Sequence, residues 1–254
     1  MNHLNSSLTM SHGSMRSLNV DSDLEGPLRN RILRGIRRED RQRILSHLTS
    51  VEWQRGEMVY ETCAPQRYAY FPVDSLVSIT HFLEDGHSCE IAVIGNDGML
   101  GISIFTQTMS MPEYAVVQAA GSAYRLKASV LKDEANRCES FRLLLRYTQV
   151  LLTQISQSAT CNRYHTITQQ LARWLLIAID HLPQQQLQLT QEQIAHSLGV
   201  RREGVTEAAG RLQKAGLIEY RRGRINVINR AGLERVCCEC YKTVKRETER
   251  LLPD

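Results

Sequence analysis

The sequence predicts an α+β protein built from an N-terminal antiparallel β-roll of jelly-roll kind, a long helix, and a C-terminal winged helix-turn-helix. Three observations carry this reading. Between about residues 57 and 127, short runs rich in Val, Ile, Tyr and Phe alternate with turn signals. From about 139 to 162 there is neither Gly nor Pro, and apolar residues recur at heptad spacing. Residues 187–228 then place small, Gly and apolar positions in the order that two closely crossing helices require. At 254 residues the chain can bury the cores of two modest domains. The expected divisions are a lead-in at 1–26, a β-roll domain at 27–138, the long helix at 139–163 and a winged helix-turn-helix domain at 164–254.

Residues 1–26 are rich in Ser, Asn and Met without periodicity, and read as a disordered lead-in. Leu28–Leu48 reads as one amphipathic helix, with Ile32, Leu33, Ile36, Ile44, Leu45 and Leu48 apolar. The expected strands are Glu57–Glu61, Tyr68–Phe71, Leu76–Leu83, Cys89–Ile94 and Tyr114–Ala119. Turns are expected at Glu84-Asp85-Gly86, Gly95-Asn96-Asp97-Gly98 and Gly121-Ser122. Several short strands at close spacing favour a small barrel or sandwich. Val130–Asn136 reads as a short helix. In the long helix the apolar stripe is Phe141, Leu144, Leu145, Leu151, Leu152 and Ile155, with Thr148 in the same line. These seven residues form the expected dimer seam. Thr166–His181 gives a further helix, ended by Pro183.

Thr190 followed by Gln193 is a capping box that starts a helix at Gln191. Ile194, Ala195 and Leu198 face inward, and Gly199 stands where a tight turn needs positive φ. Val200 plugs the turn. A second helix from about Arg202 buries Val205, Ala208, Ala209 and Leu212. Glu219–Ile228 reads as a hairpin turning at Arg222-Gly223, a wing with arginines at its tip. The net charge of +4 names no partner by itself, but the stretch from Gly199 to Asn226 holds seven Arg or Lys against three Glu, again +4. Arg201, Arg202, Glu203 and Thr206 would meet base edges in a major groove. The start of the first helix near Thr190 and Gln191, together with Arg211, Arg222 and Arg224, would hold phosphates.

Other chemistry is excluded or set aside. No apolar run approaches the roughly 18 residues that span a bilayer, and no signal-peptide pattern opens the chain. A cytoplasmic protein with its seven cysteines as thiols is expected. There is no G-x-S-x-G, P-loop or Rossmann fingerprint, so no enzyme is expected. Cys237, Cys238 and Cys240 invite a metal or redox reading. On a continuous helix, however, Cys238 would point away from the other two, and no His is near in sequence. No metal and no cofactor are expected.

Over about residues 30–250 the chain resembles the Crp/Fnr transcription regulators. The likeness rests on Asp97-Gly98-Met99-Leu100-Gly101 in the β-roll, on the long helix, on the helix-turn-helix, and on Leu217-Ile218 leading into the wing. It implies a homodimer on double-stranded DNA, acting on the transcription machinery, with Arg202 and Glu203 as base-contacting residues. It also implies departures. The family's cyclic-nucleotide anchors fall on Ile102, Glu113 and Tyr114, which cannot hold a ribose and a phosphate. The N-terminal cysteines of its iron–sulfur members have no counterpart before Cys63. A second reading arginine falls on Glu207, which can select cytosine or pair with Arg211, and the usual small hydroxyl cap falls on Arg201. The effector is unassigned. The competing reading is an effector- or redox-sensing or protein-interaction module without specific DNA binding.

Overall fold

A computed structural model describes residues 26–85, 88–135, 142–182 and 186–252. The expected lead-in, save Gly26, lies outside the described residues, as do Gly86, Phe141 and Pro183. The expected helix over Leu28–Leu48 is corrected to a 3₁₀ turn at Pro27–Arg29, α1 at Arg31–Gly35 and α2 at Arg38–Leu45. Asn30 causes the first break. Its Oδ1 caps α1 by accepting from Ile32 N (3.0 Å) and Leu33 N (3.2 Å), which demands an extended backbone at Asn30 itself. Its Nδ2 donates to the carbonyls of Pro72 and Gly98, both at 2.9 Å, and ties these helices to the β-roll.

Seven strands form the roll: β1 Thr49–Trp53, β2 Met58–Tyr60, β3 Tyr68–Pro72, β4 Leu76–Phe82, β5 Ser88–Ile94, β6 Tyr114–Ala119 and β7 Gly121–Lys127. All pairings are antiparallel, in sheets ordered β1-β7-β3 and β2-β6-β4-β5. Two strands escaped the sequence reading. Gly121-Ser122, expected as a turn, opens β7, where Trp53 pairs with Gly121 and Glu52 with Ser122. The short α3 (Ile102–Phe105) follows the glycine turn, and α4 (Ala128–Ala135) follows β7.

The long helix α5 spans Arg142–Tyr164. Its inner face packs Leu143, Leu144, Tyr147, Val150 and Leu151 into the core of the roll. Tyr147 Oη donates to Met99 O at 2.8 Å and fastens the helix to the glycine turn. The expected seam is therefore divided. Leu144 and Leu151 are buried within their own chain, whereas Leu145 and Leu152 are 60% and 53% exposed. Adjacent residues on a helix point about 100° apart, so one of each leucine pair must face away from the roll.

The C-terminal part comprises α6 (Ile167–His181), β8 (Gln186–Gln188), α7 (Gln191–Leu198), α8 (Arg202–Lys214), β9 (Ile218–Arg221), β10 (Arg224–Val227), α9 (Arg230–Val236) and α10 (Glu239–Leu251). Its core gathers around α6, buried without interruption from Gln170 to Ile179. Helix α10 returns along α5. Leu252 enters the core of the roll, and Arg31 donates to its carbonyl at 2.8 Å. Among the described residues no helix is long and apolar enough to cross a membrane.

Trp174 Nε1 reaches from α6 to the roll and donates to Glu90 Oε1 at 2.8 Å. Ser78 Oγ donates to the other carboxylate oxygen. Burial pushes the Glu90 carboxyl up to about 7, against the pull of these bonds and of Arg173. The folded state thus holds this proton more tightly than the unfolded chain. Stability from this site is full below the unfolded value of 4.5 and falls as pH rises to about 7. We expect the protein to lose on the order of 2 kcal/mol from this site between pH 5 and 8. Glu90→Gln should abolish that slope in urea titrations; parallel slopes would show Glu90 already ionised at pH 5.

Candidate nucleic-acid interface

The geometry of α7, α8 and the wing follows from local rules. Thr190 Oγ1 accepts from Gln193 N (3.2 Å), and Gln193 Oε1 accepts from Thr190 N (3.0 Å), closing the predicted capping box. Gly199 ends α7 in the left-handed region at φ 63°, and Val200 N donates back to Ala195 O at 3.0 Å. Helix α8 buries Val205, Ala208, Ala209 and Leu212 against α6 and α7. Its opposite face carries Arg202, Glu203, Thr206, Glu207 and Arg211, all exposed, with exposed Arg201 at its N-cap.

The wing is the predicted two-residue hairpin. Arg222 (φ 52°) and Gly223 (φ 74°) take the paired positive φ values of a type I′ turn. Arg221 lies directly opposite Arg224 across the ladder. Arg202, Arg222 and Tyr220 line one shallow groove with the residues 190–192 that start α7, the Glu192 carboxylate among them. The structure therefore brings Thr190, Gln191, Arg202 and Arg222 together. Glu203, Thr206, Glu207 and Arg211 continue along α8, and Arg224 stands beside the wing tip, in the first pair after the turn.

Two predicted contacts already have partners. Thr206 Oγ1 lies 2.8 Å from Gln191 Oε1 and 3.1 Å from Arg202 O, and its hydroxyl links the two helices. Glu207 pairs with Arg211 at 3.4 Å, both largely exposed, an arrangement that adds little stability. Sequence reasoning missed Tyr220. Its hydroxyl donates to Leu189 O at 3.0 Å and its amide to Gln213 Oε1 at 2.8 Å, setting the wing against α8 and the segment that leads into α7. An aromatic residue in a wing strand beside Leu217-Ile218 was the available signal.

The expectation for the C-terminal cysteines is corrected. The chain is not helical through them: α9 ends at Val236, and Cys237 and Cys238 are both extended before α10 begins. Cys238 therefore does not point away. Its Sγ lies 3.5 Å from that of Cys161, and Cys240 Sγ lies 3.6 Å from His165 Nδ1. The Cys238 thiol is pulled down, first by its hydrogen bond with Cys161 and then by that with Cys237. The spacing Cys161-x₃-His165, one helical turn, was the overlooked sign.

Fold and site together define a winged helix-turn-helix protein with an N-terminal β-roll. Residues 169–236 match the family model described as the Crp-like helix-turn-helix domain. No curated protein sequence matches the chain. Among solved structures, FixK2 from Bradyrhizobium japonicum has a TM-score of 0.62 at 21% identity, over 75% of this chain and 98% of its own. A CRP-family transcriptional regulator from Thermus thermophilus gives 0.60 at 20%, over 73% and 95%. A crp/fnr-family regulator from Eubacterium rectale gives 0.59 at 15%, over 81% and 96%. The chain has the Crp/Fnr fold and carries a Crp-like helix-turn-helix domain.

The turn is the part most open to a direct check. A Cβ at position 199 would meet Cys89 Sγ at 3.4 Å, an ordinary contact, so the cost of a side chain there lies in the backbone. Gly199→Ala should lose about 1–2 kcal/mol in denaturant unfolding. An unchanged midpoint would show that the turn is not left-handed.

Proposed function

We propose that the protein is a sequence-specific, DNA-binding transcription regulator that acts as a homodimer on a pseudo-palindromic duplex. The observation that carries this reading is the arginine placement around α8 and the wing, which works against the stability of the free protein. Arg201 and Arg202 stand at a helix N-terminus, where the helix dipole disfavours cations, and Arg201 makes no capping bond. Arg221 and Arg224 oppose each other across a ladder, where like charges repel. A phosphate backbone relieves both repulsions.

In this reading α8 lies in a major groove. Arg202 pairs with guanine O6 and N7, and Glu203 accepts from cytosine N4. Thr206 positions the two helices through Gln191. Arg211, Arg222, Arg224 and the amides at the start of α7 hold phosphates. Exposed Leu145 and Leu152, flanked by half-buried Thr148 and Ile155, seat a second copy, which places the two α8 helices about 34 Å apart, one turn of duplex. The transcription machinery is the further partner. Cyclic nucleotides are not the trigger: Ile102 packs in the core of the roll, and the Glu113 carboxylate, beside Tyr60, would repel a phosphate.

Selection from random duplexes with the full chain should enrich a two-fold symmetric motif with half-sites one turn apart. No enrichment would leave a module without specific DNA binding. On the selected site, Arg202→Ala should cost about 1–3 kcal/mol and relax preference at one base pair. An equal loss on every sequence would make Arg202 a phosphate contact.

A further inference from the structure

Away from the reading helix, four side chains converge on one point. Cys161 and His165 lie one turn apart at the end of α5, held in register by His165 N donating to Cys161 O at 3.0 Å. Cys238 is the N-cap of α10 and Cys240 lies in its first turn. The Sγ atoms of the three cysteines and a ring nitrogen of His165 all lie within 4.8 Å of one another. Cys161, Cys238 and Cys240 are 0%, 4% and 1% exposed.

We propose that Cys161, His165, Cys238 and Cys240 bind one thiophilic divalent cation of the zinc class in a tetrahedral Cys₃His site. Zn–S bonds of about 2.3 Å and Zn–N bonds of about 2.0–2.1 Å at tetrahedral angles put ligand sulfurs about 3.8 Å apart and sulfur about 3.6 Å from nitrogen. The Cys161–Cys238 and Cys240–His165 separations of 3.5 and 3.6 Å meet those values within a few tenths of an ångström. A cluster with bridging sulfides needs its cysteines spread wider. Four ligands close the coordination sphere, so the site is structural rather than catalytic.

The surroundings are those a metal site needs. With Nδ1 toward the sulfurs, the other nitrogen of His165 faces Glu239 Oε2 at 3.4 Å, the carboxylate–histidine arrangement that orients a ligating ring. Arg173 is buried on α6, and its charge acts on Cys161 and Cys240. Three thiolates, a divalent cation and one guanidinium sum to zero charge, which removes the penalty of burying any one of them alone. Binding exchanges the cation's water ligands for three sulfurs and one nitrogen. Thiol protons pass to solvent and no electron moves.

The location gives the site its use. The winged head is joined to the rest at two places, the α5–α6 link at His165-Thr166 and the α9–α10 link at Cys237-Cys238. Cys161 and His165 come from the first and Cys238 and Cys240 from the second, so one ion clamps both strands of the neck. Metal occupancy thus sets how firmly the head is held on the long helix.

The full chain, reduced and loaded with zinc alone, should retain one equivalent per chain after desalting. Cobalt(II) should give the intense visible bands of tetrahedral thiolate coordination. Cys238→Ser should lose the bands, and Cys237→Ser should keep them. Glu239→Gln, at an exposed carboxylate whose loss leaves the fold intact, should weaken cobalt affinity 10–100-fold, so the test stands even if Cys238→Ser fails to fold. No more metal on the wild type than on Cys161→Ser, cobalt affinity unchanged in Glu239→Gln, or a quantitative Cys161–Cys238 disulfide formed in the presence of zinc would overturn the proposal. None of these readouts involves DNA, so failure here is distinct from failure of the DNA-binding reading.

Discussion

The structure depends on the burial of α6. Ten consecutive residues, from Gln170 to Ile179, are enclosed on every side, which an amphipathic surface helix does not show. One side packs against α8 and α9, and Trp174 reaches to Glu90 on β5. Helix α8 therefore rests on a support that is itself tied to the roll. A buried indole donating to a buried carboxyl cannot be loosened without leaving both groups unsatisfied. Orientation of α8 is thus coupled to the roll through α6, and α7 adds its own contact with β5.

The same logic explains the division of labour along α5. Its inner leucines and Tyr147 are spent on the roll and the glycine turn, and only the outer line remains for a partner copy. Helix α10 runs back along that helix and seals its end into the first core through Leu252. The head is consequently held by the α6 and α7 contacts with β5, by the cysteine–histidine cluster at the neck, and by the returning C-terminal helix. The proposed reading of a duplex by two copies of α8 would need this restraint, because the half-site spacing is only as well defined as the head is fixed.

Much of the site was legible because its determinants are local. The Thr190–Gln193 box, Gly199 at the turn and Arg222-Gly223 in the hairpin each act within a few residues, and each stands where the pattern put it. The illegible parts are long-range. Strands β1 and β7 are recognisable only as a pair, Thr49 facing Arg125 across 76 residues. Asn30 breaks the first helix because Pro72 and Gly98 need its amide. Leu144 and Leu145 look alike in a heptad, and only the roll decides which is inside. Cys161 and Cys238 meet across 77 residues, and a helical wheel drawn through Cys237–Cys240 misplaces them because the helix starts only at Glu239.

The central claim is that exposed arginines around α8 and the wing meet the phosphates of a duplex. Its most direct test is the equilibrium affinity of the full chain for its selected duplex as a function of salt. The account predicts a linear fall of log K with log salt, with a slope of roughly −0.9 per phosphate neutralised and a loss of about 10³-fold or more between 50 and 200 mM. An affinity that does not change across that range would contradict it.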